Sequence, residues 1–231
     1  MPDTKFTWPG LLDHIRRYLW IYLAGIAACL ILTGLLWTTT QPRIPEDRSV
    51  IVYLLGDTGP VEPLDDVARD MLERGQAVDG TLQQVEFQAL HYLEDDMTST
   101  MVLMTRLSVP EGDAWIASQA GLDALVNAQA LMPLDGIVAD GWMSRFGLEP
   151  CYVTYVDPEG EEESQTYLAG LRLDPVDALL QRKSFNNEGA VLCVSAASTN
   201  PETTLRTLEF MIEDLMEGNG HAATEDTEPA A

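Results

Sequence analysis

Six residues have side chains or backbone positions that suit the binding of a small polar ligand. Serine, glutamine and aspartate side chains can hydrogen-bond a solute, and an exposed tryptophan can stack on a sugar or an apolar ligand. In an open α/β sheet, ligands bind outside the carboxyl ends of the strands, where the strand order reverses. The candidates follow predicted strands or lie in a predicted loop, and they are Gly56, Asp57, Ser118, Gln119, Trp142 and Ser198. For Gly56, Asp57, Ser118, Gln119 and Ser198 the favoured interpretation is ordinary turns and helix caps, and ligand binding is the alternative.

The motifs of common enzymes are absent from the sequence. There is no glycine-rich phosphate loop, G-x-S-x-G elbow or H-E-x-x-H pair, and His14, His91 and His221 are widely separated. Residues 159–163 include four glutamates. Because that run lacks the alternating ligands and the glycine of a calcium loop, a solvated hairpin tip is favoured. We therefore expect no catalytic residue, no metal site, no cofactor and no enzymatic activity.

The three cysteines occur in apolar segments. Cys29 is favoured as a small apolar residue over a lipidation site, although the sequence IAAC at 26–29 resembles a lipobox. Cys151 and Cys193 each lie in a short β-like run, which favours two buried free thiols. A disulfide between them is the alternative, and it would require Cα atoms within about 7 Å.

An apolar run near the N-terminus predicts a membrane anchor. Residues 18–37 read YLWIYLAGIAACLILTGLLW, without a charge, and a helix of this length spans roughly 30 Å. Aromatic residues mark both ends, and Arg16 and Arg17 border the run on its N-terminal side. We expect a cytoplasmic N-terminus at 1–17, one transmembrane helix, and an extracytoplasmic C-terminal domain at the cell membrane. A cleavable secretory signal and a lipoprotein signal are the alternatives.

The rest of the chain has the pattern of an α/β domain at 49–218, reached by a proline-containing tether at 38–48. Short apolar runs alternate with helical segments, which predicts a mostly parallel sheet with helices on both faces. An antiparallel hairpin and another buried strand follow. The last helix is predicted to begin at Asn200 and to end at Gly218, before a disordered acidic tail at 219–231.

One predicted helix carries methionines at helical spacing. Met97, Met101 and Met104 recur at i, i+4 and i+7, which places them on one helix face. Such a face could form an adaptable binding surface, but core filling is the favoured interpretation. Trp115 is likewise expected in the core, whereas Trp142 lies in a loop-like stretch and is expected to be exposed.

Negative charge is concentrated in the predicted domain. The 231 residues include 13 Lys and Arg and 37 Asp and Glu, a net charge of -24. Residues 1–48 hold five basic and four acidic residues, so residues 49–231 hold eight against 33, a net charge of -25. A surface this acidic repels phosphates, which argues against nucleic-acid binding. An anionic membrane surface would repel it as well.

Two segments resemble extracellular solute-binding proteins of bacterial ABC importers, which have the type II periplasmic-binding fold. Residues 113–135 read DAWIASQAGLDALVNAQALMPLD and are similar to the family's strand, helix and Gly/Ala-x-Leu-x-Pro-Leu-Asp turn. Residues 190–215 read AVLCVSAASTNPETTLRTLEFMIEDL and resemble its late strand, Ser-x-Asn-Pro-Glu and helix. The order of the elements matches better than the residues do.

The resemblance implies one lobe of a two-lobed design. Proteins of that family hold the ligand in a cleft between two lobes, whereas only about fifteen residues separate Asp135 from the predicted hairpin. We therefore expect a membrane-anchored, single-lobe relative that acts as a binding or accessory module for a small solute or for a membrane or envelope protein. The alternative is a structural or interaction component of a membrane or cell-envelope assembly, with no small-molecule ligand.

Overall fold

The structure is a computed structural model, and it describes residues 8–40, 44–109, 111–135, 145–156, 164–176, 178–186 and 188–225. The chain divides into two compact units, Met1–Arg43 and Ile44–Ala231. The first unit contains an apolar helix, and the second contains a mixed sheet flanked by helices.

The described part of the first unit is one long helix, α1 (Trp8–Thr40). It begins earlier and ends later than the helix predicted at 18–37. Pro9 is compatible with this early start, because a proline in the first turn needs no intrahelical N–H bond. Within α1, the stretch Arg16–Trp37 has a mean hydropathy of 2.2 and is long enough to cross a bilayer. A signal sequence near the N-terminus would meet the same test.

The second unit is built on one six-stranded sheet. Its strands are β1 (Ser49–Gly56), β2 (Gln84–His91), β3 (Ala114–Ala117), β4 (Pro150–Tyr155), β5 (Gln165–Arg172) and β6 (Val191–Val194). They lie side by side in the order β2-β1-β3-β6-β5-β4. β1 pairs in parallel with β2 and β3, and the other neighbours pair antiparallel, so four of the six strands run in one direction. The predicted α/β class and the β4–β5 hairpin are confirmed.

In the described part of the second unit, the helices are α2 (Asp65–Val78), α3 (Met97–Leu107), α4 (Gln119–Asn127), α5 (Ala178–Gln181) and α6 (Pro201–Glu225). They cover both faces of the sheet, as predicted. On one face, Val52 of β1 shares a core with Met71 of α2 and with α6. On the other face, Tyr53 stacks on Trp115 with ring centroids 4.7 Å apart, and both share a core with Leu103 of α3 and with α4.

The two buried cysteines are free thiols. Cys151 of β4 and Cys193 of β6 are both in register with Gly170 of β5, so a whole strand separates them. Two strand spacings put their Cα atoms about 10 Å apart, beyond the reach of a disulfide. Burial raises the pKa of both thiols. The prediction of buried free thiols is confirmed, and the disulfide alternative is wrong.

Two predicted boundaries differ from the structure. α6 continues through Gly218 to Glu225, because a glycine inside a helix lowers its stability by about 1 kcal/mol without ending it. The predicted tether at 38–48 contains the end of α1 and a 3-10 turn, Glu46–Arg48. The carbonyl of Arg48 accepts a 2.7 Å hydrogen bond from the backbone N–H of Gln83, which ties the turn to the domain.

We expect residues 44–225 to fold without α1. Both hydrophobic cores lie within the second unit, and a chain of about 180 residues buries about 70% of the surface that it exposes when unfolded. Far-UV circular dichroism should therefore show one cooperative thermal transition for this fragment. A gradual loss of signal without a transition would contradict the division into two units.

Candidate functional site

The sequence predicts a ligand site at the carboxyl ends of β1 and β3. The strand order reverses there, because the chain passes from β1 to β2 on one side and returns to β3 on the other. We call this end of the two strands the switch point. It is formed by Gly56 and Asp57 after β1 and by Ser118 and Gln119 after β3. A Cβ placed on Gly56 would lie 2.8 Å from both Cβ and Oγ of Ser118, so the structure brings these two residues into contact.

The side chains at the switch point have local partners. Ser118 is the N-cap of α4, and its Oγ accepts a hydrogen bond from the N–H of Gly121 at 3.3 Å. Gln119 donates from Nε2 to Asp123 on the next helical turn at 3.1 Å. Asp57 is exposed. These contacts match the turn-and-cap alternative, and ligand binding by the four residues stays a prediction.

A later segment of the chain fills the switch point. Thr58 and Phe185 form an antiparallel bridge, and the N–H of Gly59 donates to the carbonyl of Ser184 at 2.9 Å. Phe185 is only 2% exposed, and its ring lies 3.4 Å from the position of a Cβ on Gly56. In the part of the chain that the structure describes, this edge therefore has a packed aromatic ring where a cleft was expected.

An ion pair holds the filling segment in place. Arg182 donates from Nη1 to the carbonyl of Pro63 at 2.6 Å and to the carboxylate of Asp66 at 2.7 Å. The pKa of Asp66 is lowered by the hydrogen bonds from Arg182 and from the backbone of Val67, which outweigh its desolvation. The segment is thus tied to the start of α2 as well as to the loop after β1.

Ser198 and Ser118 lie at opposite ends of the paired strands β3 and β6. β6 runs antiparallel to β3, with Ala117 beside Val191 and Ala114 beside Val194, so the residues after β6 are near the start of β3. The expectation that Ser198 joins the switch-point residues is therefore wrong. Trp142 lies outside the described residues.

A buried carboxylate that sequence reasoning did not single out organises that opposite edge. Asp113 is 6% exposed and accepts hydrogen bonds from the N–H of Ile51 at 3.0 Å and from Oγ of Ser198 at 2.8 Å. Its backbone carbonyl accepts from the N–H of Ser195 at 2.9 Å. Burial raises the pKa of Asp113, although the hydrogen bonds from Ile51 and Ser198 oppose that shift. Asp113 thus joins β1, β3 and the turn before α6.

A small depression opens beside Asp113. Its volume is about 20 Å³, which holds a water or two, whereas pockets for small molecules occupy about 300–1,000 Å³. It is lined by Glu46, Ser49, Ile51, Glu111, Gly112, Asp113, Ala197 and Thr199. Among the described residues, no group of His, Cys, Asp or Glu side chains is placed to hold a metal ion. What the structure shows for this carboxylate is a set of hydrogen bonds that joins β1 to the turn before α6.

The outer side of α3 has three exposed methionines. Met97 is 78% exposed, Met101 65% and Met104 46%, so the prediction that they fill the core is wrong. The reason is the direction of the helix: Ser99 and Leu103 are its buried residues, and they lie on the opposite side. We call Met97, Met101 and Met104 the methionine face.

Comparisons with known proteins give little guidance. No protein-family model matches the chain, and no curated protein matches it. A solved structure that matches is the N-glycan transport solute binding protein (NgtS) from Streptococcus pneumoniae, with 15% sequence identity and a TM-score of 0.26. The match covers 41% of this chain and 22% of that one, so the chain spans about a fifth of that protein's length. A likeness this weak carries no argument about function.

Replacing Phe185 by alanine tests whether its ring fills the space at the switch point. Because the ring is buried, Phe185→Ala should lower the free energy of unfolding by about 3–5 kcal/mol. Tyr152→Ala, at an exposed aromatic residue of β4, should change it by about 0.5 kcal/mol or less. Urea unfolding of residues 44–225 measures both. Equal effects for the two variants would show that Phe185 does not fill this edge.

The buried carboxylate should give stability an unusual pH dependence. A raised pKa means that the folded chain binds the Asp113 proton more tightly, so the wild type should gain stability relative to Asp113→Asn as the pH falls from 7 towards about 4. Asp96 is the control, because hydrogen bonds from the backbone N–H groups of Thr98 and Ser99 lower its pKa. Relative to Asp96→Asn, the wild type should lose stability below about pH 4. Urea titrations at each pH measure both differences, and the same sign for both would contradict the assignment.

Proposed function

We propose that this chain is a single-pass membrane protein whose extracytoplasmic α/β domain is a non-enzymatic protein-interaction module. The observation that carries the proposal is the methionine face of α3. Burying one methionine contributes about 1.5–3 kcal/mol, and here three of them remain in solvent on one helix. Methionine is flexible and polarizable, and it is common at surfaces that bind other proteins.

The closed switch point supports this choice over solute binding. A solute-binding site needs a concave pocket with a few convergent polar groups. At the switch point the described residues place Phe185 in that space, and at the opposite edge the depression beside Asp113 has room for only a water or two. Neither of these two places therefore offers a cleft for solute binding, which the sequence resemblance implied.

The anchoring part of the proposal rests on the apolar stretch Arg16–Trp37. It is long enough to span a bilayer, and Arg16 and Arg17 at its start favour the cytoplasmic side for the N-terminus. With one span, the domain beginning at Ile44 lies on the other side. Intact-mass analysis of protein purified from membranes separates the retained anchor from a cleaved signal, since cleavage would remove the N-terminal residues and lipidation would add an acyl mass at Cys29.

The methionine face should be dispensable for folding and required for interaction. Met97→Gln, Met101→Gln and Met104→Gln together should change the free energy of unfolding by about 1 kcal/mol or less, because these side chains are exposed. Leu103→Ala, on the buried side of the same helix, should lower it by about 2–5 kcal/mol. Urea unfolding compares the two.

Photo-cross-linking in intact cells tests the interaction itself. A photoreactive amino acid at position 101 of the full chain should give one discrete adduct, and the same group at Glu73, an exposed position on α2, should not. Met97→Gln with Met104→Gln, in the chain that carries the photoreactive amino acid at position 101, should remove the adduct. Equal cross-linking from both positions, or none from either, would contradict an interaction role for this face.

A further inference from the structure

The spacing of the methionine face matches the seam of a two-helix contact. Met97, Met101 and Met104 are separated by four and then three residues, the alternation of apolar positions along a coiled-coil seam. At about 100° per residue they fall within an arc of about 60° on α3. Ser108, the next position in the series, is polar and is the C-cap of α3, so the apolar stripe ends at Met104. A narrow apolar stripe of this kind suits a second helix lying alongside, with its own apolar residues at matching intervals.

α3 is already fixed as a helix in the orientation that such a contact needs. The carboxylate of Asp96 caps its start by accepting hydrogen bonds from the N–H groups of Thr98 at 3.1 Å and Ser99 at 3.0 Å. Leu103 is fully buried and holds the opposite side against the sheet. A partner would therefore meet a preformed helix, and the ordering cost on this side of the interface would fall on the three methionine side chains.

Charge beside the methionine face selects among possible occupants. Glu94 and Asp95, immediately before α3, are exposed carboxylates, and residues 49–231 carry a net charge of -25. A second copy tethered in the same membrane would bring like charges together. An anionic lipid surface would be repelled for the same reason. A helix with lysine or arginine at the end facing Glu94 and Asp95 would instead be attracted.

We propose that the methionine face binds an amphipathic helix of another protein, with apolar residues at heptad spacing and basic residues at the end that faces Glu94 and Asp95. This inference rests on the proposed interaction function and names the chemistry of its partner. The contact is short, about three turns of α3, so specificity comes from matching both the apolar stripe and the charged end.

Synthetic helices test the inference on the full chain held in phosphatidylcholine nanodiscs, with empty nanodiscs as the blank. The first probe is a labelled peptide of about three heptads with leucine at the seam positions and three lysines at one end. The second probe has glutamates in place of those lysines, and the third is a scrambled form of the first. Fluorescence anisotropy should show the lysine peptide binding at least about tenfold more tightly than the other two.

Variants of the chain separate the apolar and the charged contributions. Met97→Gln, Met101→Gln and Met104→Gln together should weaken binding of the lysine peptide at least about tenfold. Glu94→Lys with Asp95→Lys should reduce the preference for the lysine peptide over the glutamate peptide at least about tenfold. Leu180→Gln, at an exposed apolar residue of α5, is the matched control and should leave binding unchanged.

Three results would overturn the inference. Equal binding of the lysine peptide to the wild type and to the glutamine variant would mean that the attraction is purely electrostatic. Failure of every peptide would reject the basic helix as occupant, while the cross-linking at position 101 would still judge the interaction function on its own. Self-association of the wild type that the glutamine variant abolishes, measured by analytical ultracentrifugation in detergent, would assign the face to a second copy. Unchanged circular dichroism of each variant ensures that a loss of binding is not a loss of folding.

Discussion

The antiparallel pairing of β6 with β3 determines which segments of this domain lie at the same end of the sheet's strands. With Ala117 beside Val191, the chain must enter β6 from the carboxyl ends of the parallel strands. The segment before β6 therefore lies at the switch point, where Phe185 packs against the end of β1. The segment after β6 must lie at the other edge, where Ser198 reaches Asp113. One pairing direction thus explains both the filled switch point and the buried carboxylate.

The same sheet leaves α3 with a narrow buried side. β1 and β3 present Tyr53 and Trp115 on this face, where the two stacked rings share a hydrophobic core with Leu103 of α3. Leu103 and the partly buried Leu107 join α3 to that core, and Asp96 caps its start. Among the described residues, Met97, Met101 and Met104 belong to neither hydrophobic core, and their apolar character is the basis of the interaction that we propose.

Local patterns predicted much of this fold, because they depend on residues close together in the chain. The alternation of short apolar runs with helical segments predicted the α/β class, and the last helix was predicted to begin at Asn200, beside the observed start of α6 at Pro201. The direction of β6 could not be predicted in this way, since VLCV is uniformly apolar and is buried equally well in either direction. The error at Ser198 follows from that. The methionines were misplaced because helical spacing shows which residues share a face, and only the packing of Ser99 and Leu103 shows which face is turned inward.

Ion pairs within the domain bear on how its charge acts outside. Five of the eight basic residues in 49–231 pair with the domain's own acids, and they are Arg74, Arg106, Arg145, Arg182 and Arg206. Each exposed pair adds only about 0–1 kcal/mol to stability. Their larger effect is that most of the basic residues already pair with acids of the domain. The remaining carboxylates therefore give the outer surface its negative charge. On that surface the methionine face is an apolar strip that follows the exposed Glu94 and Asp95, which is why the partner we propose carries positive charge.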